Sequence, residues 1–159
     1  MHKTNKGIVY LIPTTIAADS IDQTIPVVIK ASISQLDYFL VENVRTARRF
    51  ISALDIGKQI DDLVFEVLDK KTTPEQMKKF FQPVLEGKHV GIMSEAGCPG
   101  VADPGALAVS YAHQHQLQVK PLVGPSSILL ALMGLVILAP LLVGIWANAV
   151  MGFMLPALP

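Results

Sequence analysis

An alternation of two hydrophobic periods constrains the fold of this 159-residue chain more than any other feature. Short runs rich in Val, Ile and Tyr alternate with segments whose apolar residues recur at helical spacing, a pattern typical of consecutive β-α-β units. The predicted strands are residues 7–13, 38–43, 63–68, 89–94 and 118–123, and the predicted helices are residues 24–35, 44–54, 74–86, 104–115 and 125–134. We therefore expect an α/β fold, a five-stranded, mostly parallel sheet flanked by helices.

The composition and the absence of several known motifs disfavour some binding partners and some kinds of site for this chain. The 13 basic and 13 acidic residues cancel, which gives no overall electrostatic reason to expect a nucleic acid or an anionic membrane as a partner. The single cysteine, Cys98, excludes an internal disulfide and fits a reducing compartment, so we expect a cytoplasmic protein. Phosphate-loop, GxGxxG and GxSxG motifs are absent, and His113 and His115 lack partners at metal-ligand spacing, so no metal site is predicted.

The predicted ligand site lies at one edge of the sheet. In a parallel α/β sheet, ligands bind outside the carboxyl ends of the strands. This rule selects four segments: 13–15 (PTT), 42–45 (ENVR), 94–100 (SEAGCPG) and 123–127 (VGPSS). The stretch SEAGCPGVADPG, residues 94–105, holds more glycine and proline than a strand-to-helix connection needs, which favours close approach of a ligand to the backbone. A rigid turn without a ligand remains the alternative.

Four segments together resemble one enzyme superfamily. The segments GIVYLIPTTIA, VENVRTARRFI, GIMSEAGCPGVADPGA and VKPLVGPSSILLALM occur in the order found in the tetrapyrrole methylase-like superfamily of S-adenosylmethionine-dependent methyltransferases. The resemblance covers residues 7–133 and looks strongest to the ribosomal RNA small-subunit methyltransferase I branch, which methylates the 2′-hydroxyl of a cytidine. It implies that residues 1–133 form the N-terminal α/β domain of a two-domain enzyme that binds S-adenosylmethionine between its domains.

The resemblance also implies which residues bind the cofactor, and the chemistry of methyl transfer suggests which residues are catalytic. The implied cofactor-binding residues are Pro13, Thr14, Ser94, Glu95, Ala96, Gly97, Cys98, Asp103, Gly105, Gly124, Pro125 and Ser126. The candidate catalytic residues are Glu42, Arg45 and Glu95. Methyl transfer from a sulfonium needs a base only where the acceptor must lose a proton. Glu42 and Glu95 are candidates for this base or for stabilising the charge of the sulfonium. Alternatively, these glutamates pair with Arg45 or cap a backbone turn. Arg45, Arg48 and Arg49 are expected on one stripe of a helix, which is either a contact for a phosphate or a solvated helix face.

The chain departs from the branch at several of these positions. Asn43 and Val44 stand where the branch usually has Asp and Thr, and Glu95 and Cys98 stand where it has Asp and Thr. The first loop also lacks the usual Pro-Ile-Gly-Asn continuation. The sequence is therefore compatible with three functions: methylation of ribosomal RNA at a ribose 2′-hydroxyl, methylation of a tetrapyrrole, and a non-catalytic association module.

Residues 134–159 form an uncharged, apolar tail where the family has its second domain; every charged residue lies at or before Lys120. Three interpretations compete: a tail docked on its own domain or a partner, a membrane anchor, and a truncated or frame-shifted remnant of a longer enzyme. Pro140, Asn148 and the lack of a basic flank disfavour the membrane, which stays open. We also expect a homodimer, because half of a two-domain enzyme leaves apolar surface uncovered.

Overall fold

A computed structural model describes residues 6–17, 20–100 and 103–154, the last eight of these through their backbone alone. Its sheet has five strands, every neighbouring pair of which is parallel, in the order β3-β2-β4-β1-β5. The strands are β1 (Ile8–Ile12), β2 (Tyr38–Val41), β3 (Val64–Val67), β4 (Val90–Met93) and β5 (Gln118–Pro121). The α/β fold expected from the alternating pattern is confirmed.

The helices differ from the sequence prediction at two places. They are α1 (Ile21–Thr24), α2 (Val27–Ile33), α3 (Val44–Ala53), α4 (Pro74–Leu85), α5 (Gly105–Gln114) and α6 (Ser127–Met154), with a 3-10 turn at Ile60–Asp62. The predicted helix at 24–35 corresponds to α2, which begins after Pro26, and the short helix α1 before it was not predicted. The predicted helix at 125–134 continues to Met154, because neither Gly134 nor Pro140 ends it.

The chain divides into two compact units, Met1–Pro125 and Ser126–Pro159. The first contains the whole sheet and helices α1 to α5, and the second contains α6. The domain boundary proposed from the sequence, between residues 133 and 134, falls inside α6. The replacement of a second domain by residues 134–159 stays a prediction.

The first unit has a core on each face of the sheet, because side chains alternate between faces along a strand. Helices α2 and α3 cover one face, where the buried residues include Tyr10, Ile12, Ile29, Phe39, Phe50, Ile51 and Met93. Helices α4 and α5 cover the other face, where they include Val9, Leu40, Phe81, Val84, Ile92 and Ala108. Every residue of β2 and β4 is buried, as expected for central strands of a sheet covered on both sides.

The strand register brings the site loops to one edge. Met93 lies opposite both Ile12 and Val41, and Leu11 lies opposite Pro121, so the strands end close together. The segments after β1, β2, β4 and β5 all leave from this carboxyl edge. The four loops selected from the sequence are therefore positioned to form one site.

Substitution of Gly91 tests the packing of neighbouring strands on the sheet face that α2 and α3 cover. An added Cβ would lie 2.5 Å from Cδ1 of Ile12 and 2.8 Å from Cδ1 of Phe39, both in the core. We expect Gly91→Ala to lower the free energy of unfolding by about 1–3 kcal/mol, because overpacking displaces these side chains. Urea unfolding measures this free energy, with mild detergent present because residues 134–159 are uncharged and apolar. Ser52→Ala, on the exposed face of α3, is the control. Equal stability of the two variants would contradict the packing.

Candidate functional site

The loops after β1 and β4 are joined through their backbones. The N–H of Thr14 donates to the carbonyl of Gly97 (2.9 Å), and the N–H of Gly97 donates to the carbonyl of Thr14 (3.2 Å). Gly97 has a φ of +75°, and an added Cβ would lie 3.3 Å from the carbonyl oxygen of Pro125. This conformation disfavours any side chain, so the join itself requires glycine at position 97.

The loop after β5 packs against both of these loops. A Cβ added to Gly124 would overlap Cβ and Cγ of Pro13. The half-buried thiol of Cys98 donates to the carbonyl of Pro125 (3.3 Å) and lies 3.7 Å from the carbonyl of Gly124. Burial raises the pKa of the Cys98 thiol, because desolvation disfavours the thiolate. Three of the four predicted loops therefore form one connected framework.

Polar side chains of the glycine-rich loop are bonded within this framework. The Asp103 carboxylate accepts the N–H of Gly100 (3.0 and 2.8 Å) and of Gly105 (2.6 Å), which fixes the loop before α5. The Ser94 hydroxyl donates to the carbonyls of Ala96 (3.4 Å) and Gly97 (3.5 Å). These side chains shape the loop, and they leave Glu95 and Ala96 exposed at its surface.

A cavity of about 550 Å³ opens beside the framework. It is lined by Thr15, Ile16 and Ala17 after β1, by Ile21 and Asp22 of α1, by Thr46, Arg49, Phe50 and Ala53 of α3, and by Glu95. Ligand sites for small molecules typically measure about 300–1,000 Å³ and combine apolar walls with a few polar groups. This cavity has that size, with a carboxylate from the glycine-rich loop and a guanidinium from α3 among its walls.

Helix α3 presents its arginines on two different faces. Its N-cap, Asn43, accepts the N–H groups of Arg45 (3.0 Å) and Thr46 (3.3 Å), which fixes where the helix begins. Arg49 lines the cavity, and Arg45 lies one turn before it on the same side of the helix. Arg48 pairs instead with Asp61, and its guanidinium carbon lies 6.0 Å from the centroid of the Phe65 ring. The three arginines therefore do not form one stripe.

The three candidate catalytic residues occupy different environments. Glu95 lines the cavity. Glu42 is half-buried, and its N–H donates to the carbonyl of Met93 (3.3 Å), while Arg45 is exposed. The ion pairs in the part of the chain that the structure describes are Lys30–Asp22, Arg48–Asp61 and Lys58–Asp37, so neither glutamate holds Arg45. Of the three, Glu95 has the position of a ligand contact.

Sequence reasoning missed most of the α3 wall of the cavity. Thr46, Arg49, Phe50 and Ala53 follow the spacing i, i+3, i+4 and i+7, which places them on one helix face. That spacing is visible in the sequence, but it does not say which element the face meets. Within residues 6–17, 20–100 and 103–154, no group of three or more His, Cys, Asp or Glu side chains is placed to hold a metal ion.

Ser126, the last of the residues implied in cofactor binding, opens the second unit. Its hydroxyl accepts the N–H of Leu129 (3.4 Å), so the side chain helps to begin α6.

Cys98 gives a test of the framework through two nearly isosteric replacements. We expect Cys98→Thr to keep the stability of the chain, because a hydroxyl donates to the Pro125 carbonyl as the thiol does. We expect Cys98→Val to lose about 1 kcal/mol, because that carbonyl then lacks its side-chain donor. Urea unfolding compares the two variants, and a Val variant as stable as the Thr variant would contradict the contact.

The same thiol gives a pH-dependent prediction. Since burial raises its pKa, Cys98 holds its proton to higher pH in the folded chain than in the unfolded chain. The rate of alkylation by iodoacetamide should therefore rise with pH at a higher midpoint when folded than in urea, because the thiolate is the nucleophile. Mass spectrometry of the modified chain measures both rates. Identical midpoints would contradict the buried position of the thiol.

Comparison with known proteins finds ribosomal RNA small subunit methyltransferase I proteins among the relatives of this chain, although no family model matches it. The ribosomal RNA small subunit methyltransferase I of Buchnera aphidicola is 25% identical over 128 residues, 79% of this chain and 42% of the relative. The protein of the same name from Leptospira biflexa is 26% identical over 129 residues, 80% of this chain and 50% of the relative. That from Helicobacter pylori strain J99 is 27% identical over 129 residues, 75% of this chain and 43% of the relative.

The chain thus spans half or less of the length of these curated relatives. The matched stretch covers about four-fifths of the chain and agrees with the extent of the resemblance found in the motifs. The chain is therefore similar to part of the ribosomal RNA small subunit methyltransferase I proteins, and its resemblance to methyltransferases is confirmed.

Proposed function

We propose that this chain is the cofactor-binding part of an S-adenosylmethionine-dependent methyltransferase. One observation carries the proposal: the glycine-rich loop, bonded to the loops after β1 and β5, holds Glu95 at the wall of a 550 Å³ cavity. Its position beyond the carboxyl ends of parallel strands is where such folds bind ligands. The names of the relatives support a methyl-transfer reaction.

The residues of the cavity fit S-adenosylmethionine in charge and polarity. The cofactor carries a cationic sulfonium, an amino acid end with both charges, and a flat adenine. Glu95 would attract the cationic groups, and Arg49 would bind the carboxylate. Ile16 and Phe50 supply apolar surface for the adenine. When bound, the cofactor supplies the methyl group from its sulfonium.

Most of the other predicted cofactor-binding residues support the wall of the cavity and do not line it. Those whose contacts form the loop framework are Pro13, Thr14, Ser94, Gly97, Cys98, Asp103, Gly105, Gly124 and Pro125. They hold the cavity wall in place before a ligand arrives, which lowers the entropic cost of binding. Ala96, exposed beside Glu95, offers backbone next to the cavity wall. Ser126 stays a prediction from the sequence resemblance.

The acceptor that we propose is a ribose 2′-hydroxyl of ribosomal RNA, following the names of the relatives. Arg45 is exposed near the start of α3, where its guanidinium suits a phosphate of an RNA backbone. Glu42, half-buried at the end of β2, is the proposed base for the hydroxyl proton. We propose that this reaction takes place in the cytoplasm. We also propose that the chain assembles as a homodimer.

Glu95 and Arg49 give a sharper test of cofactor binding than the glycines do. Gly97→Val strains a backbone at φ +75° whether or not a ligand binds, so its loss of binding would not identify a cofactor contact. The side chains of Glu95 and Arg49 are exposed and belong to none of the ion pairs in the described part of the chain. Their neutral replacements therefore leave the framework intact.

We expect the full chain in mild detergent to bind S-adenosylmethionine in isothermal titration calorimetry. Glu95→Gln and Arg49→Gln should each raise Kd about tenfold, because each removes a charge-assisted contact worth about 1.4 kcal/mol. Glu86→Gln and Lys79→Gln, exposed on the α4 side of the sheet, are the charge-matched controls and should bind like the unaltered chain. Absence of binding at millimolar cofactor, or unchanged Kd in both cavity variants, would overturn the proposal.

A further inference from the structure

Helix α6 is apolar on all of its sides. Between Ser127 and Trp146, Ser127 is the one residue with a polar side chain. Every large apolar side chain in this stretch is exposed, from 48% for Ile128 to 70% for Val136. Such exposure, spread around the helix, leaves no polar side to face water.

This distribution distinguishes the possible surroundings of the helix. A helix that packs on a protein surface keeps a polar side toward water, and a helix that lies along a membrane surface carries a charged face. Helix α6 has neither, since residues 121–159 contain no Asp, Glu, Lys or Arg. A helix that is apolar all round requires apolar surroundings all round, which a lipid bilayer provides.

The length of the helix matches a bilayer. Ser127–Trp146 is 20 residues long and is apolar enough to cross a membrane. At about 1.5 Å per residue it spans about 30 Å, the thickness of the hydrocarbon core. A bilayer span that begins at Ser127, where α6 begins, reaches Trp146 after about 30 Å, at the depth where tryptophan is enriched at the membrane–water interface. Pro140 is compatible with a spanning helix, because neighbouring groups re-satisfy the freed backbone.

We propose that Ser127–Trp146 crosses a lipid bilayer and anchors the unit Met1–Pro125 to a membrane. In the sequence alone, Pro140, Asn148 and the lack of a basic flank disfavour this interpretation. The helix is unbroken through Pro140, and Asn148 lies beyond the roughly 30 Å that separate Ser127 from Trp146. A basic flank sets the orientation of a spanning helix, which this proposal leaves open. The inference rests on α6 alone and holds whether or not the first unit binds a cofactor.

Vesicle flotation tests the anchor with two matched pairs of valines. The full chain, transferred from mild detergent to neutral phosphatidylcholine vesicles, should float with them and resist extraction at about pH 11. Val136→Arg with Val143→Arg places two cations in the span and should lower the partition coefficient about 10⁴-fold. Val27→Arg with Val28→Arg is the control, since these valines are 80% and 71% exposed on α2; it should float like the unaltered chain.

Tryptophan fluorescence separates a spanning helix from one lying at the membrane surface. Trp146 is the single tryptophan, so lipids that quench near the headgroups should reduce its emission most. In a second chain, Trp146→Phe is combined with Ile137→Trp, which moves the probe to the middle of the span. Its emission should be quenched most by lipids labelled at the ends of their acyl chains.

Three results would overturn the proposal. The chain could remain a monodisperse, detergent-free species that does not float, which would mean that protein covers α6. The paired α6 arginines could leave flotation unchanged. Shallow quenching at both tryptophan positions would place the helix along the surface. None of these measurements involves S-adenosylmethionine, so failure of the anchor and failure of the cofactor proposal are separate outcomes.

Discussion

Thr14 and Gly97 exchange two backbone hydrogen bonds, and the geometry of the carboxyl edge follows from that exchange. The bonds hold the glycine-rich loop against the loop after β1, and the φ of +75° at Gly97 turns the chain toward Pro125. Cys98 then reaches the carbonyls of the loop after β5. Glu95, two residues before the join, is left at the cavity wall. A single backbone pairing thus links three loops and positions the carboxylate on which the proposed chemistry depends.

The sequence and the structure give different reasons for the glycines at this edge of the sheet. In the sequence, Gly97, Gly105 and Gly124 suggest room for a ligand. In the structure, an added Cβ at Gly105 would meet Asp103, and one at Gly124 would overlap Pro13. The space that these glycines leave is therefore filled by the protein itself. What points to a ligand is the cavity, whose lining includes Glu95 but none of these glycines.

The sheet was predictable because its strands are short, β-branched and separated by helical segments, a pattern that few other folds produce. The loop positions followed, since parallel strands end at one edge. The α3 wall was not predictable, because the spacing of Thr46, Arg49, Phe50 and Ala53 defines a face without naming what it meets. The full length of α6 was missed for another reason: Gly134 and Pro140 are helix-ending signals in water, and neither ends this apolar helix.

The departures from the methyltransferase branch change the charge of the site more than its framework. Asn43 still caps α3 by accepting two backbone N–H groups, a function that an aspartate performs equally well. Cys98 still donates to the Pro125 carbonyl, as a threonine hydroxyl would. Glu95 keeps a carboxylate and adds one methylene of reach toward the cavity. The loop architecture is thus compatible with these substitutions.

The uncharged amide of Asn43, however, leaves Glu42 as the carboxylate at the end of β2. In the proposed reaction, the base that the end of this strand supplies is therefore Glu42.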